Sequence, residues 1–502
     1  MMARGPENLR IVLVQPPKEG GVQSLFTFHK NEGIGAKPPL GILSLATYLR
    51  SAGFSATACL DAQADGLSPE ATVERIAAYR PDVVGVSVWT DFWFPAWSTM
   101  QGVRRAIPEC TIIAGGPHCL IYPRETLETS GADYVVAGDG EDTLLALAQC
   151  LASGAPAGDL PGLWRQQGLQ SVAPAEAVAT IADLDHLPLP DRTLLPRERY
   201  TSVLGRGAFE TTLISSRGCP HRCVFCKMHA QRVAVRSAGR VVDEFEQIAA
   251  LGITELQVYD DTFTWSRRRV MDICHGIIEK GIRLRWAIRD RVDRADSEVF
   301  AWLRRAGCER IHFGVESGSP RILEASGKRI TLDQAERALR LAHEAGFTTL
   351  AYYMFGFPGE TRADARQTMV AARRLNSDYA VFAVLIPYPG TELYERALAD
   401  GTIPTDFWAQ YARQPQPDFR VPHLCEQHLS RETLIALKDQ ALRAYYLRPR
   451  RLWRELRGLR SWREVRCKAG MAMNIVSDGV RSAVRRCGGR RAVARPAGGS
   501  PA

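Results

Sequence analysis

Arg217-Gly-Cys-Pro-His-Arg-Cys-Val-Phe-Cys226 sets Cys219, Cys223 and Cys226 in a Cys-x3-Cys-x2-Cys run. Thiolate is the usual ligand of iron–sulfur clusters, and three thiolates this close on one loop can hold three irons of a 4Fe–4S cluster. No fourth cysteine follows at short spacing, so one iron is left open and can bind a substrate. A zinc knuckle is the competing reading. Zinc takes four ligands, usually in two pairs, and His221 or His229 would supply the fourth only awkwardly.

Working outward from the run, strand and helix patterns alternate on both sides. Ahead of it, apolar runs stand at Ile11–Val14, Ser55–Leu60, Val83–Val88, Thr111–Ala114 and Tyr134–Ala137. Helical stretches lie between them near Leu40–Ser51, Pro69–Tyr79, Ala96–Ile107 and Asp142–Leu151. Five such units predict a doubly wound, Rossmann-like parallel sheet over residues 1–154, with ligands past the carboxyl ends of the strands. Residues 155–209 read as a hairpin and a proline-stiffened linker. From 210 to 395 six further strand–helix repeats predict a partial TIM-like barrel, the cysteine run following its first strand. A helical extension over 396–449 and a basic amphipathic tail over 450–502 complete the α/β chain.

Composition fits this layout. The chain has 502 residues, 45% hydrophobic and 24% charged, which excludes fibrous and disordered classes. The opening apolar run is too short for a signal peptide, and twelve cysteines outside a secretory context argue for reduced thiols and a metal site. A cytoplasmic protein is expected. From Arg448 onward 15 Lys/Arg face three Asp/Glu, so the net charge of +9 belongs to the tail. The rest is slightly acidic, and no nucleic-acid partner is expected.

The cysteine run resembles that of the radical S-adenosylmethionine enzymes. The front half lacks the Gly-x-Gly-x-x-Gly of dinucleotide sites but resembles the cobalamin-binding domain that precedes many of those enzymes. Pro38-Pro-Leu-Gly41, Gly115-Gly-Pro-His118 and Gly138-Asp-Gly-Glu141 carry that likeness. The resemblance implies a 4Fe–4S cluster, S-adenosylmethionine and cobalamin as cofactors. For cobalamin it implies contacts from Ser87, Gly115, Gly116, His118, Gly138, Gly140 and Glu141. The Asp-x-His-x-x-Gly motif that gives cobalt a histidine is absent, so no protein imidazole on cobalt is expected. Trp89, Phe92, Trp93, Phe94 and Trp97 after the third strand pack a core or wall a ligand.

For S-adenosylmethionine, Phe225 resembles the family aromatic at the adenine and Glu316 the ribose-binding acid. Asp260 or Asp261 could accept from the ammonium, Arg291 could counter the carboxylate, and Gly356 to Gly359 would let backbone approach the adenine. Paired aspartates that only start a turn, and a glycine corner without ligand, are the structural alternatives. The resemblance implies a small-molecule substrate, an electron donor such as flavodoxin or ferredoxin, and methylation of an unactivated carbon of a lipid, tetrapyrrole or natural-product intermediate. A radical oxidative cyclase without methyl transfer and a non-catalytic cobalamin or redox sensor are the alternatives. Retention of the cysteines with Glu316 and the aspartate pair speaks against the sensor.

In the tail, Leu452, Trp453, Leu456, Leu459, Trp462 and Val465 recur at helical spacing with arginines interleaved. Such a helix can dock on its own domain, or lie on an anionic membrane, where each basic residue contributes about 1 kcal/mol. On the membrane reading, full-length protein co-sediments with anionic vesicles in a salt-sensitive way and a chain ending near Arg448 does not. Equal sedimentation of the two leaves the docked helix.

Overall fold

The computed structural model describes residues 5–22, 37–167, 170–201, 209–228, 233–424 and 428–449. The tail beyond 449, His229, and the membrane reading of that tail lie outside the described residues.

The front sheet opens with β1 (Ile11–Gln15), β2 (Thr57–Asp61), β3 (Val83–Ser87), β4 (Thr111–Gly115) and β5 (Tyr134–Val136). They run parallel in the order β2-β1-β3-β4-β5. Both faces are covered by helices, so the strands read as near-continuous apolar runs, and β1 is buried at every position. The covering helices include α1 (Leu40–Ser51), α2 (Pro69–Ala78) and α3 (Trp93–Ala106). α4 (Pro117–Ile121), α5 (Pro123–Ser130) and α6 (Glu141–Ser153) follow. Ser68 caps α2 by accepting from the Ala71 amide, and left-handed Gly131 and Gly154 stop α5 and α6. The hairpin of β6 (Leu163–Gln167) and β7 (Gln170–Val172) extends the sheet beyond β5 in antiparallel sense.

The linker is not loose. Arg236 and Arg240 donate to the Leu187 carbonyl, and Arg192 forms a buried ion pair with Glu244 at 2.7 Å, so the segment is fastened to the second sheet.

That sheet begins at β8 (Glu210–Leu213), after which the short pair β9 (Ser216–Arg217) and β10 (Ala234–Val235) brackets the cysteine loop. It continues through β11 (Glu255–Val258), β12 (Arg285–Arg291), β13 (Cys308–Glu316), β14 (Thr348–Phe355) and β15 (Tyr379–Val384). All six main strands are parallel and neighbours in sequence, which makes an open barrel segment. Outside it lie α7 (Ala238–Ala250), α8 (Arg267–Glu279), α9 (Ser297–Arg305), α10 (Pro320–Ala325), α11 (Leu332–Glu344) and α12 (Arg362–Leu375). Thr331 with Gln334 and Thr361 with Asp364 form capping boxes that start α11 and α12.

The extension departs from the sequence expectation. Rather than helix throughout 396–449, α13 (Glu392–Ala399) and α14 (Phe407–Arg413) are followed by a non-helical stretch before α15 (Arg431–Tyr446). α15 lies against β15, where the hydroxyls of Tyr445 and Tyr446 reach Ser377 and Ala380, and so closes the open edge of the barrel sheet.

α14 instead wedges between the two halves. The Trp93 indole donates to the Tyr411 and Ala412 carbonyls, both at 3.2 Å, and the Trp408 indole donates to Pro387 at 2.7 Å. One apolar cluster therefore joins Trp93 and Val86 of the front half to Phe357, Leu385, Trp408 and Tyr411 of the back. Among the described residues no helix is long and apolar enough to cross a membrane.

Candidate functional site

The carboxyl ends of both sheets face a common space, and the cysteine loop lies in it. Cys219 donates its amide to the Met228 carbonyl at 2.8 Å, and the Cys226 amide donates to Cys223 at 3.0 Å, which folds the loop back on itself. All three thiols are free and half-buried. Burial pushes the Cys223 thiol up and the Cys226 thiol to about 11. Among the described residues no three His, Cys, Asp or Glu side chains are drawn together as around a single metal ion. The donor chemistry nonetheless suits an iron–sulfur cluster. The Met228 amide donates to Cys226 Sγ at 3.4 Å and Arg291 Nη1 to Cys223 Sγ at 3.8 Å, N–H···S contacts of the kind that tune such clusters. Cys274 and Cys308 are packed in the apolar core and stand apart from the loop.

The two aspartates after β11 have separate fates. Asp260 is fully buried and accepts from the amides and hydroxyls of both Ser215 and Ser216, at 2.5–3.1 Å. Its four acceptor sites are spent on fixing the end of β8, so it cannot also take an ammonium. This corrects one half of the expected pair. Asp261 is half-buried; burial first, and Asp260 second, push its carboxyl up to about 6.

Arg291 also differs from expectation. Its guanidinium is already held by Asp293 at 2.9 and 3.1 Å and by the Lys328 carbonyl at 2.6 Å, beside Cys223. A free counter-charge for a carboxylate is not what it presents.

Glu316 occupies the left-handed region at φ 68°, where β13 and β14 shift register between Gly314 and Glu316. Such a position costs a non-glycine residue about 1–3 kcal/mol and is held only by its surroundings. Here the surroundings include an ion pair with Lys328. A Cβ at Gly314 would strike both Lys328 Nζ and Glu316 Oε1, so a side chain there would displace the ends of the pair. Lys328 is missed by sequence reading because it sits in a turn with no motif around it.

Phe225 meets Phe357 edge to face at 5.8 Å, and so joins the cysteine loop to the Gly356–Gly359 corner. Both glycines are left-handed, at φ 102° and 69°. Glu360 accepts from the Gly356 and Phe357 amides and closes the corner; its second oxygen is buried without a partner, and burial pushes the carboxyl up to about 7.

The other half of the space is a cavity of about 430 Å³ at the ends of β1, β3, β4 and β5. Ser87, Gly115, Gly116, Gly138, Gly140 and Glu141 all line it, together with Leu13, Ile42 and Val136. A Cβ on Gly41 would meet nothing within 4 Å, whereas one on Gly116 would hit the Val88 carbonyl at 2.8 Å. The apolar, glycine-floored cleft fits a broad ligand seated at a topological switch point. His118 does not face it. It is fully buried, stacked on Trp93 at 4.5 Å, and burial pushes it down to about 3. Its backbone enters the glycine loop but its ring belongs to the core behind, which corrects its expected place among the ligand contacts. The aromatics divide likewise: Trp93 is core, and Trp89, 52% exposed, lines the cleft.

Arg217 joins the two halves. From the cysteine loop it donates to Asp139 Oδ1 at 2.8 Å and to Glu141 Oε1 at 2.5 Å. Burial alone would lower its pKa, but Glu141 and Asp139 more than offset this and hold it above the usual value. Ile214 and Tyr259 complete the barrel side of the cleft.

Comparison with known proteins agrees with this arrangement. Residues 213–372 match the radical SAM superfamily and 35–148 the B12 binding domain. An uncharacterized methyltransferase of Pyrococcus horikoshii is 31% identical over 455 residues, 89% of this chain and 95% of its own length. An anaerobic magnesium-protoporphyrin IX monomethyl ester cyclase of Rubrivivax gelatinosus is 27% identical, over 77% of this chain and 70% of its own. The radical S-adenosylmethionine methyltransferase TsrM of Kitasatospora setae, solved with tryptophan and a SAM analog, superposes with a TM-score of 0.65 at 25% identity. That match covers 78% of this chain and 76% of TsrM.

The chain belongs to the radical S-adenosylmethionine enzymes that carry a B12-binding domain. Its cofactors are a 4Fe–4S cluster, S-adenosylmethionine and cobalamin.

Arg217 is 31% exposed, so its two charge-assisted hydrogen bonds are partly screened by solvent, and losing them is expected to cost about 1–3 kcal/mol. Arg217→Met is therefore expected to lower the denaturation midpoint of the full chain, and Arg217→Lys to lower it less. Equal midpoints for wild type and Arg217→Met would show that the clamp is not strained by loss of its cation.

Proposed function

We propose that this enzyme transfers a methyl group to a carbon of a small-molecule substrate. The observation that carries the reading is the placement of the three-cysteine loop and the glycine-floored cleft on either side of one ion-pair clamp. When bound, the cluster with S-adenosylmethionine supplies a hydrogen-abstracting radical, and cobalamin supplies the methyl group.

The chain's own residues hold and separate these groups. Cys219, Cys223 and Cys226 provide three thiolates and leave one position open, with Arg291 and the Met228 amide donating to sulfur. Phe225 and the Gly356–Gly359 corner flank the adenine. Glu316, alongside Lys328, takes the ribose hydroxyls. Asp261, whose neighbour is fully engaged, accepts from the ammonium. The cleft would hold the corrinoid, and the absent Asp-x-His-x-x-Gly motif supports a cobalt without a protein imidazole; among the described residues no histidine lines it. Radical cyclisation without methyl transfer is the second reading, favoured by the likeness to the cyclase. A flavodoxin- or ferredoxin-like protein serves as electron donor, and the basic tail either docks on its own domain or makes a peripheral membrane contact.

Anaerobic reconstitution tests both sites. The full chain is expected to hold four irons per molecule by iron analysis and low-temperature EPR, and Cys223→Ala to hold none, because two thiolates do not keep the cluster. Four irons retained in the variant would refute the assignment. The Co(II) form is expected to lack nitrogen superhyperfine splitting. Methyl-labelled S-adenosylmethionine then separates the readings: label in product means methyl transfer, and an unlabelled oxidised product means cyclisation.

A further inference from the structure

Alternation along the barrel strands turns Ile288, Ile311, Phe313 and Tyr353 toward the covering helices, where they are buried in the core. The residues between them, Arg289, Arg310, His312 and Tyr352, face the concave inner side. A parallel sheet usually puts apolar layers there, but this one carries charge. Toward the strand beginnings that charge is answered: Glu210 takes Lys37 and the Gln257 amide, and Glu255 takes Arg285 at 2.7 Å.

Toward the mouth it is not. Arg289 makes no ion pair with any described carboxylate; Asp261 feels its charge only at longer range. Its guanidinium carbon lies 3.6 Å from the centre of the Tyr259 ring, and Tyr259 lines the cleft shared with the front sheet. Its other neighbour is the Tyr352 hydroxyl, itself 3.0 Å from His312 Nδ1. His312 is buried, and burial followed by Arg310 and Arg289 keeps its ring neutral. Burial, with Arg310 and Arg289 next to it, likewise brings the Lys37 ammonium down to about 7. Burial dominates both effects, and the two arginines add to it. A stacked guanidinium that no described carboxylate engages is suited to a planar or tetrahedral oxyanion, which it binds in bidentate fashion.

We propose that the substrate carries an oxyanion, a carboxylate or a phosphoryl group, and that Arg289 with the Tyr352 hydroxyl receives it at the barrel mouth. The position lies between the Glu316 end of the sheet and the cleft, so it holds the rest of the substrate where a radical and a methyl donor can both reach it. This substrate class rests on the function proposed above. Arg289 acts as a specificity-determining residue.

Calorimetric titration of the reconstituted full chain with phenylphosphonate, phenylacetate and benzyl alcohol tests it. Saturable binding of at least one anion, and none of the alcohol, is expected for the wild type and for Arg268→Gln, whose side chain is 94% exposed on the outer surface. Arg289→Gln is expected to bind the anion at least tenfold more weakly, the loss of a charged hydrogen bond. Arg289→Lys keeps the charge without the fork and falls between; it carries the comparison where Arg289→Gln does not fold. Undiminished anion binding in the folded variants overturns the proposal. So does alcohol binding as tight as the anion's, absence of anion binding by the wild type, or parallel loss of S-adenosylmethionine binding in Arg289→Gln, which would make Arg289 a cofactor residue. Iron and cobalamin contents of the same samples are read separately. Normal contents without anion binding overturn the substrate class alone, whereas a wild type unable to hold either cofactor overturns the function it rests on.

Discussion

Arg217 stands two residues before the first cysteine of the loop, and its guanidinium is shared between Asp139 and Glu141 of the front half. Glu141 is also the first residue of α6, and Asp139 accepts the Ile181 amide, so the clamp gathers a helix start, a glycine loop and the linker at one point. Transfer chemistry between two cofactors needs their separation fixed to a fraction of an ångström. Apolar packing between the halves supplies adhesion but little direction. The forked donor, satisfied on two carboxylates, supplies the direction, while the shared core around Trp93 and Trp408 supplies the adhesion.

The barrel sheet spends its inner face differently from its outer one. Outside, strand residues such as Phe313 and Tyr353 are buried against helices and provide stability. Inside, Glu210, Glu255, Arg285 and Arg310 occupy positions that a closed barrel would fill with branched aliphatics. Each buried charge costs desolvation that a partner only partly offsets. The sheet tolerates this because the inner side stays open enough to leave Arg289, Tyr259 and Tyr352 partly exposed. What stability the inner face gives up is recovered by the outer helices and by α15 along the edge.

Much of this was legible because each level of the sequence pointed the same way. α1 falls on its predicted bounds, and all eleven main parallel strands are found, since apolar runs between capped helices leave few alternatives. α5 and α10 escape the pattern, each being short and opened by a proline within a few residues of another element. At the site, residues carried by a dense motif could be located. Side chains whose fate depends on tertiary partners could not. Nothing in Tyr259-Asp-Asp261 says that Ser215 and Ser216 consume the first aspartate, and nothing in Gly-Gly-Pro-His118 says that Trp93 stacks on the ring. The linear pattern also conceals that the extension divides, with α14 serving the interface and α15 the barrel edge.

The turn at 326–329 ties the expected ribose site to the cysteine loop. The Ser326 carbonyl accepts the Val224 amide at 3.1 Å, the Lys328 carbonyl holds Arg291, and the Lys328 ammonium reaches Glu316. Arg291 in turn reaches Cys223. A hydroxyl pair arriving at Glu316 must share its carboxylate with Lys328, and any shift of that lysine is felt by the backbone that orients Arg291. The strained backbone of Glu316 sharpens this, because a residue held at positive φ by one ion pair has little freedom to follow its partner. The expected ribose site and the arginine that reaches a cysteine sulfur are thus joined through a single turn.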